Sequence, residues 1–266
     1  MQQFLSVLSS SAIIPRREPE WEKEVPASLK RRDPRIWQMA YLAASRTLGK
    51  TDLKPNSIVI GTGLGALDET KNVLDGVYGE GFSSPRNFIA SVHNSIAGKL
   101  ALEFRITGPN LTMCEGQNSL ASAIIAAGLL SDKYFPALVL AIDERIELLD
   151  RIHPFMSEKC RRYLSADWEE ASVGFLLGKS LHQEGNLIRA FGPVPAAGKD
   201  PEEACRKLVK DNAGDSCELM SESDSSYVKP AISVFEWLNS SDQKHVAVCS
   251  YSPVSDGAAF VELIKK

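Results

Sequence analysis

Apolar residues along the chain form short continuous runs that alternate with stretches of helical spacing. The short runs predict buried strands, because a strand covered on both faces needs no polar side. The strands predicted in this way span residues 3–8, 57–61, 111–114, 137–142, 173–177, 187–191, 245–250 and 258–264. Three serines at positions 9 to 11 interrupt the first run, so this strand is predicted to end at Leu8.

Helical spacing of apolar residues predicts helices over residues 34–48, 68–76, 88–104, 117–130 and 231–239. Asp33 and Pro34 suit the start of the first helix, since a polar cap residue precedes a proline in the first turn. The helix over 117–130 is apolar on nearly every side, which predicts that it is buried. The polar stretches 15–34, 77–87 and 212–229 are predicted to be loops, the last a serine-rich surface excursion.

Strands that alternate with helices indicate an α/β domain with a parallel or mixed sheet. The 266 residues allow one large domain or two modest ones, and 44% hydrophobic with 24% charged residues is typical of a globular protein. A formal net charge of −4 argues against nucleic acid or an anionic membrane as a partner. No apolar run approaches the roughly 18 residues of a membrane span, so none is expected.

The five cysteines are odd in number and scattered, without a CxxC pair: Cys114, Cys160, Cys205, Cys217 and Cys249. This pattern is typical of free thiols in a reducing compartment and of neither a disulfide framework nor a zinc site. The N-terminus lacks the basic start of a signal peptide. We therefore expect a cytoplasmic protein without a metal or another cofactor.

The run GTGLGA at residues 61–66 follows a predicted strand and precedes a predicted helix, as in a dinucleotide-binding turn. Its third glycine, Gly65, stands one residue too early for that motif. No strand that ends in an acidic residue follows about 20 residues later. A plain tight turn is the favoured interpretation.

Several polar residues are candidates for chemistry. Cys114 is a possible nucleophile or a small space-filling group, and Glu115 is a possible base without an identified partner. Asp143 and Glu144 follow a buried strand, which indicates either a site at the sheet edge or, as the favoured interpretation, a solvated helix start. The four histidines lack metal or acid–base spacing and are expected to be structural: His93, His153, His182 and His245.

The segment SVHNSIAGKLALEFRITGPNLTMCEGQNSLASAI, residues 91–124, resembles the core of the β-ketoacyl synthases, the condensing enzymes of fatty acid and polyketide synthesis. Residues 33–48, SIVIGTGLGALDET, ALVLAIDE and EEASVGFLLGKS resemble the family's neighbouring elements in the same order, and the C-terminal VCSYSPVSDGAAFVELIKK is similar to its last two strands. The resemblance covers about residues 1–180. It implies a single domain over 1–266 with a thiolase-like fold, in which the N-terminal half (1–180) is complete and the C-terminal half (181–266) is abbreviated.

In this family the nucleophilic cysteine stands at the N-terminus of the buried helix. The resemblance places Gln117 at that position and Cys114 one turn too early. A carboxamide cannot form the acyl thioester that condensation requires. The two histidine segments of the family's C-terminal half also have no counterpart in the sequence.

The resemblance thus implies a non-catalytic subunit similar to the chain length factors of aryl polyene clusters. Such a subunit would pair with a full-length ketosynthase, meet an acyl carrier protein indirectly, and shape the acyl tunnel at the heterodimer interface. The residues implied at that interface or tunnel are Cys114, Glu115, Gly116, Gln117, Asn118, Ala121, His93 and Asn94, with residues 67–82 as a candidate tunnel wall. An exposed apolar face of small residues is expected on the isolated chain.

Three alternatives stay open at this point. Gln117 could serve a malonyl-ACP decarboxylase, Cys114 could serve an acyltransferase, or the chain could be a homodimeric acyl-binding protein.

Overall fold

The computed structural model describes residues 3–31, 33–158, 161, 164, 166–179, 185–221 and 226–266, so Cys160 and His182 lie outside the described residues. In chain order, the described residues form the elements β1 (Leu5–Ile13), α1 (Ala27–Lys30), α2 (Arg35–Leu48), β2 (Ser57–Gly61), α3 (Leu67–Glu80), α4 (Pro85–Ser91), α5 (Ser95–Phe104), β3 (Asn110–Met113), α6 (Ser119–Gly128), β4 (Ala137–Asp143), α7 (Glu147–Ile152), β5 (Ala171–Gly178), β6 (Leu187–Pro195), α8 (Pro201–Ala213), β7 (Glu218–Ser221), α9 (Lys229–Ser240), β8 (His245–Ser252) and β9 (Gly257–Ile264). None of these helices is long and apolar enough to cross a membrane.

The strands of the described chain form one sheet in the order β3-β2-β4-β5-β1-β6-β9-β8-β7. β2 runs parallel to β3 and β4, and β7 runs parallel to β8, whereas the other neighbours are antiparallel. Two residue pairs, Leu5 with Ile188 and Ser6 with Leu187, join β1 to β6 at the centre of the sheet. Of the two sheet types predicted from the sequence, mostly parallel or mixed, the structure has the mixed one.

The chain repeats one order of elements. The first half runs β1, α2, β2, α6, β4, β5, and the second half runs β6, α8, β7, α9, β8, β9. In the first half, α3, α4, α5 and β3 are inserted between β2 and α6. In the second half, residues 222–228 alone connect β7 to α9. This insert, together with the longer β1–α2 and β4–β5 connections of the first half, makes the first half the longer one.

The helices α6 and α9 lie between the two parts of the sheet. α6 packs on β2 and β4 of the first half and on β6 and β9 of the second, while α9 packs on β8, β1 and β5. α2 and α5 cover the outer face of the first half, and α8 covers the outer face of the second. The result is five alternating layers of helix and sheet, in which α6 is buried as its apolar sequence predicted.

Several predicted boundaries differ from the structure, and the predicted loop 15–34 contains the short helix α1. β1 continues through the serines to Ile13, because polar groups can be satisfied within the fold: the Ser9 hydroxyl donates to the Thr47 carbonyl oxygen at 2.9 Å. The single helix predicted over 88–104 is divided into α4 and α5. The predicted loop 77–87 contains the end of α3 and the start of α4, which Ser84 caps by accepting from the Asn87 amide. The predicted excursion 212–229 contains β7.

Candidate functional site

Gln117 lies in a short 3-10 turn that joins β3 to α6, and it is only 7% exposed. The preceding Gly116 has φ of +57°, a conformation that favours glycine. The Ser119 hydroxyl lies 2.8 Å from the Thr62 carbonyl oxygen and accepts from the Glu115 amide at 3.0 Å. These contacts hold the turn in one conformation.

Asn118 connects the start of α6 to the second half of the chain. Its side chain is fully buried, and its Nδ2 donates to the Gly257 carbonyl oxygen at 2.8 Å. Its Oδ1 accepts from the Ser250 hydroxyl at 2.7 Å. Since both amide atoms are engaged, Asn118 acts as a structural link between the two halves.

The glycine turn after β2 binds a carboxylate of this chain. Asp143, at the end of β4, accepts hydrogen bonds from the Thr62 hydroxyl at 2.9 Å and from the Gly63 and Leu64 amides at 2.8 Å. The turn has the positive φ of +62° at Gly65 that a tight bend often needs. Successive backbone amides form such anion cradles in many proteins, and here the anion is internal.

The expectation that Asp143 and Glu144 form a solvated helix start is wrong. They are 1% and 7% exposed, because β4 ends beneath the glycine turn. Burial raises the pKa of Asp143 to about 7, although the hydrogen bonds from the turn lower this pKa. Burial, and then the carboxylate of Asp68, raise the pKa of Glu144 to about 8, while Arg35 acts in the opposite direction.

Cys114 is exposed, and its Sγ lies 3.7 Å from the Gly63 carbonyl oxygen. Partial burial, and then the carboxylates of Asp143 and Glu115, raise the pKa of this thiol. A raised pKa disfavours the thiolate, which is the nucleophilic form of cysteine.

The described histidines have separate surroundings. His93 is exposed with its ring against Gly65, and the neighbouring Asn94 is the exposed N-cap of α5. His153 Nε2 lies 2.7 Å from the Leu164 carbonyl oxygen, and His245 Nε2 lies 2.8 Å from the Glu262 carboxylate. The last two contacts are those of structural histidines.

Ala121, expected at a partner interface or tunnel, is 2% exposed and packs in the central core of its own chain. Its place at an interface or tunnel stays a prediction. Most of the exposed large apolar side chains of the described residues lie on the insert of the first half, and sequence reasoning placed only residues 67–82 of it.

This surface, which we name the apolar band, consists of large side chains and not of the small ones expected. Its members are Leu74, Val77, Tyr78, Phe82, Phe88, Ile89, Val92, Leu102 and Leu111. Its members lie on neighbouring elements, because α3 packs on α4, α4 on α5, and α5 on β3. It borders the free edge of the sheet, since β3 pairs with β2 on one side only.

The five layers around α6 and α9 recur in solved structures that cover nearly the whole chain. A chain of the ishigamide ketosynthase/chain length factor has a TM-score of 0.73 at 16% identity, covering 99% of this chain and 99% of that chain. A chain of the ketosynthase ApeO in complex with its chain length factor ApeC from Xenorhabdus doucetiae has a TM-score of 0.64 at 15% identity, covering 98% and 99%. A chain of the AntDE–AntF complex, a type II polyketide acyl carrier protein with its ketosynthase, has a TM-score of 0.71 at 13% identity, covering 99% and 100%. These likenesses establish the thiolase-like, condensing-enzyme fold.

Residues 9–162 match the family described as "Beta-ketoacyl synthase, N-terminal domain". Because this match spans more than half of the chain, the chain belongs to the β-ketoacyl synthase family. A comparison with curated protein sequences gave no match. The family and the fold predicted from the sequence are both confirmed.

Proposed function

We propose that this chain is a non-catalytic, chain-length-factor-like partner of a β-ketoacyl-ACP synthase in fatty acid or polyketide biosynthesis of the aryl polyene type. In this function the partner ketosynthase supplies the reacting groups, and this chain shapes the acyl tunnel at the heterodimer interface. It meets the acyl carrier protein indirectly, through the complex, in the cytoplasm.

The observation that carries the proposal is the position of Gln117. It is buried at the start of α6, where the family resemblance places the nucleophilic cysteine. An amide cannot be acylated to a thioester, so the central step of condensation cannot occur on this side chain. Two of the described histidines are engaged elsewhere, His153 with a backbone carbonyl and His245 with Glu262.

The apolar band supports a partner that binds this face. Clusters of exposed large apolar side chains mark protein–protein contacts, and Phe82 and Phe88 are 66% and 64% exposed within the band. The adjacent edge strand β3 can pair with a strand of a second chain. Two of the similar solved structures, the ishigamide and ApeO–ApeC proteins, contain a ketosynthase with a chain length factor, and the AntDE–AntF complex adds a carrier protein.

We also propose that residues 1–266 form a single domain, with 1–180 and 181–266 as its two halves. The support is that α6 packs on strands of both halves and that Asn118 hydrogen-bonds across them.

The alternatives have less support. An acyltransferase that uses Cys114 would need a thiolate, which the raised pKa of that thiol disfavours. A decarboxylase that uses Gln117 would need space for a malonyl group beside a residue that is 7% exposed.

The test is affinity purification of the tagged chain from its native host, with identification and stoichiometry of what copurifies. We expect a one-to-one complex with a full-length ketosynthase. A lone monomer or homodimer would contradict the proposal. The isolated chain is then assayed for malonyl-ACP decarboxylation and for acylation of Cys114, and activity in either assay would establish the corresponding alternative.

A further inference from the structure

Tyr227 lies against the two glycines that flank the site. A methyl group placed on Gly63 would be 2.5 Å from the Tyr227 Cδ1 atom, so the ring packs directly on the glycine backbone. A methyl group placed on Gly116 would be 3.9 Å from the Cε1 atom of the same ring. Gly116 directly precedes Gln117. The ring therefore extends from the glycine turn after β2 to the turn that holds Gln117.

Three contacts hold Tyr227 in this position. The hydroxyl of the preceding Ser226 donates to the Glu169 carbonyl oxygen at 2.6 Å. The following Val228 is 1% exposed in the central core, where α9 begins. The ring of Trp168 meets Tyr227 edge to face, with 6.5 Å between the ring centroids.

Apolar side chains pack around the ring. Trp168 forms a small cluster with Ile146, Leu149 and Leu164, and Tyr227 packs against it together with Leu64, Leu67 and Met156. Such packing makes displacement of one ring costly, because the cavity left behind is unfavourable.

Ser252 also lies against Gly116. It is 1% exposed, and its hydroxyl oxygen would be 2.7 Å from a methyl group on that glycine. Ser252 at the end of β8 and the Tyr227 ring thus both lie against Gly116, and both come from the second half of the chain.

We infer that Tyr227 and Ser252, which both lie against Gly116, close the space over Gln117, so that this site admits no acyl group even when residue 117 carries a thiol. Tyr227 directly precedes Val228 and the start of α9, and this position brings it to the site. The inference rests on the proposed function in taking position 117 as the counterpart of the family nucleophile, but it concerns access to this chain and not its partner.

The experiment measures how fast iodoacetamide alkylates a cysteine placed at position 117. Gln117→Cys is made in a Cys114→Ser background, which removes the exposed thiol from the same peptide. The full chain is used as purified, and carbamidomethylation of the residue-117 peptide is followed by mass spectrometry. Tyr227→Ala is then added to remove the ring.

A second route displaces the ring without removing it. Gly63→Ala puts a methyl group where the Tyr227 ring now lies, so it opens the same space by a different change. The matched control is Tyr41→Ala. Tyr41 stacks on Phe104 with 5.6 Å between ring centroids, and it packs in the outer layer of the first half.

We expect slow alkylation of Gln117→Cys alone, because a buried thiol reacts only through local opening. The rate should rise about tenfold or more with Tyr227→Ala or Gly63→Ala and stay unchanged with Tyr41→Ala. Fast alkylation without either change, no increase with them, or an equal increase with Tyr41→Ala would overturn the inference. If Tyr227→Ala does not fold, Gly63→Ala decides. The copurification experiment is independent of this result, so failure of either idea is recognised separately.

Discussion

The two halves of the chain follow the same order of strands and helices. They differ in the length of the connection that precedes α6 in the first half and α9 in the second. The first half places residues 62–118 between β2 and α6, and this insert carries the apolar band and the free edge of β3. The second half needs only residues 222–228 between β7 and α9, and the end of this connection holds Tyr227 against the glycine turn. In the proposed function, the long insert offers a surface to a partner, and in the further inference the short connection contains the residue that covers the site.

The largest expected effect tests whether the halves are one folding unit. Trp237 of α9 is 1% exposed in the core shared by both halves. Trp237→Ala should lower the free energy of unfolding by about 3–5 kcal/mol, since a large buried side chain is lost. Hydrogen exchange with mass spectrometry should show reduced protection in β4 as well as β8. A loss of hydrogen-exchange protection confined to the second half would show that the two halves unfold separately.

The next effect concerns the surface of the insert. Phe88→Asp puts a charge in the apolar band and should weaken binding of the copurifying ketosynthase about 30-fold, or ~2 kcal/mol, as expected for an interface anchor. Thermal stability should change little, because the side chain is 64% exposed. Val254→Asp is the control, since Val254 is 88% exposed on the β8–β9 turn of the second half. An equal loss of ketosynthase affinity for both variants would show that the apolar band is not part of the interface.

A smaller effect compares two buried glutamates. In the second half, Glu262 is paired with Arg189 at 2.6 Å and with His245. In the first half, Glu144 is buried near Asp68 and Glu170, and its pKa is raised to about 8. A folded chain with this raised pKa keeps a proton that the unfolded chain releases at lower pH. The free energy of unfolding therefore falls as the pH rises from the ordinary pKa of a glutamate to about 8, the raised pKa of Glu144.

Glu144→Gln should remove this loss. We expect the free energy of unfolding to rise by about 1–2 kcal/mol at about pH 9 and to be nearly unchanged at about pH 4, measured by urea denaturation. Glu147→Gln, at an exposed position on α7, is the control and should have no effect. Glu262→Gln should instead destabilise at both pH values, because it leaves Arg189 partly buried without its charge partner. A gain from Glu144→Gln that did not depend on pH would contradict this account.

The smallest effect is expected at Gln117 itself. Gln117→Ala should leave ketosynthase binding unchanged and cost about 1 kcal/mol of stability or less, since the proposed function needs no chemistry from this side chain. Binding is measured by the same copurification. Malonyl decarboxylation by the isolated wild-type chain that Gln117→Ala abolished would refute a non-catalytic role.

Much of the first half could be predicted from local patterns. Asp33 and Pro34 locate the start of α2 to within a residue, and the continuous apolar run 57–61 coincides with β2. α8 was missed, since this helix is polar except for a narrow inner face with Cys205 and Val209. The break between α4 and α5 was also missed, because apolar spacing continues across it.

For the candidate site, the sequence predicted the local position of each residue but not the contacts between distant segments. The GPNLT run places residue 117 at the start of α6, and the tight-turn interpretation of GTGLGA agrees with the structure. What the turn binds was not predictable, because Asp143 comes from a different strand. Ala121 is buried within its own chain, and its place at an interface or tunnel stays a prediction, since an apolar helix pattern does not say which chain covers it.

The sequence by itself determined the family, the order of the elements, the burial of α6 and the amide at position 117. These depend on local spacing and on contiguous motifs, which the chain carries without reference to distant residues. Only the tertiary structure decided that Asp143 lies in the glycine turn, that large side chains form the apolar band, and that Tyr227 packs on Gly63. The physical reason is that burial and close contact arise when distant segments meet: Tyr227 and Gly63 belong to different halves and come together only in the folded layers.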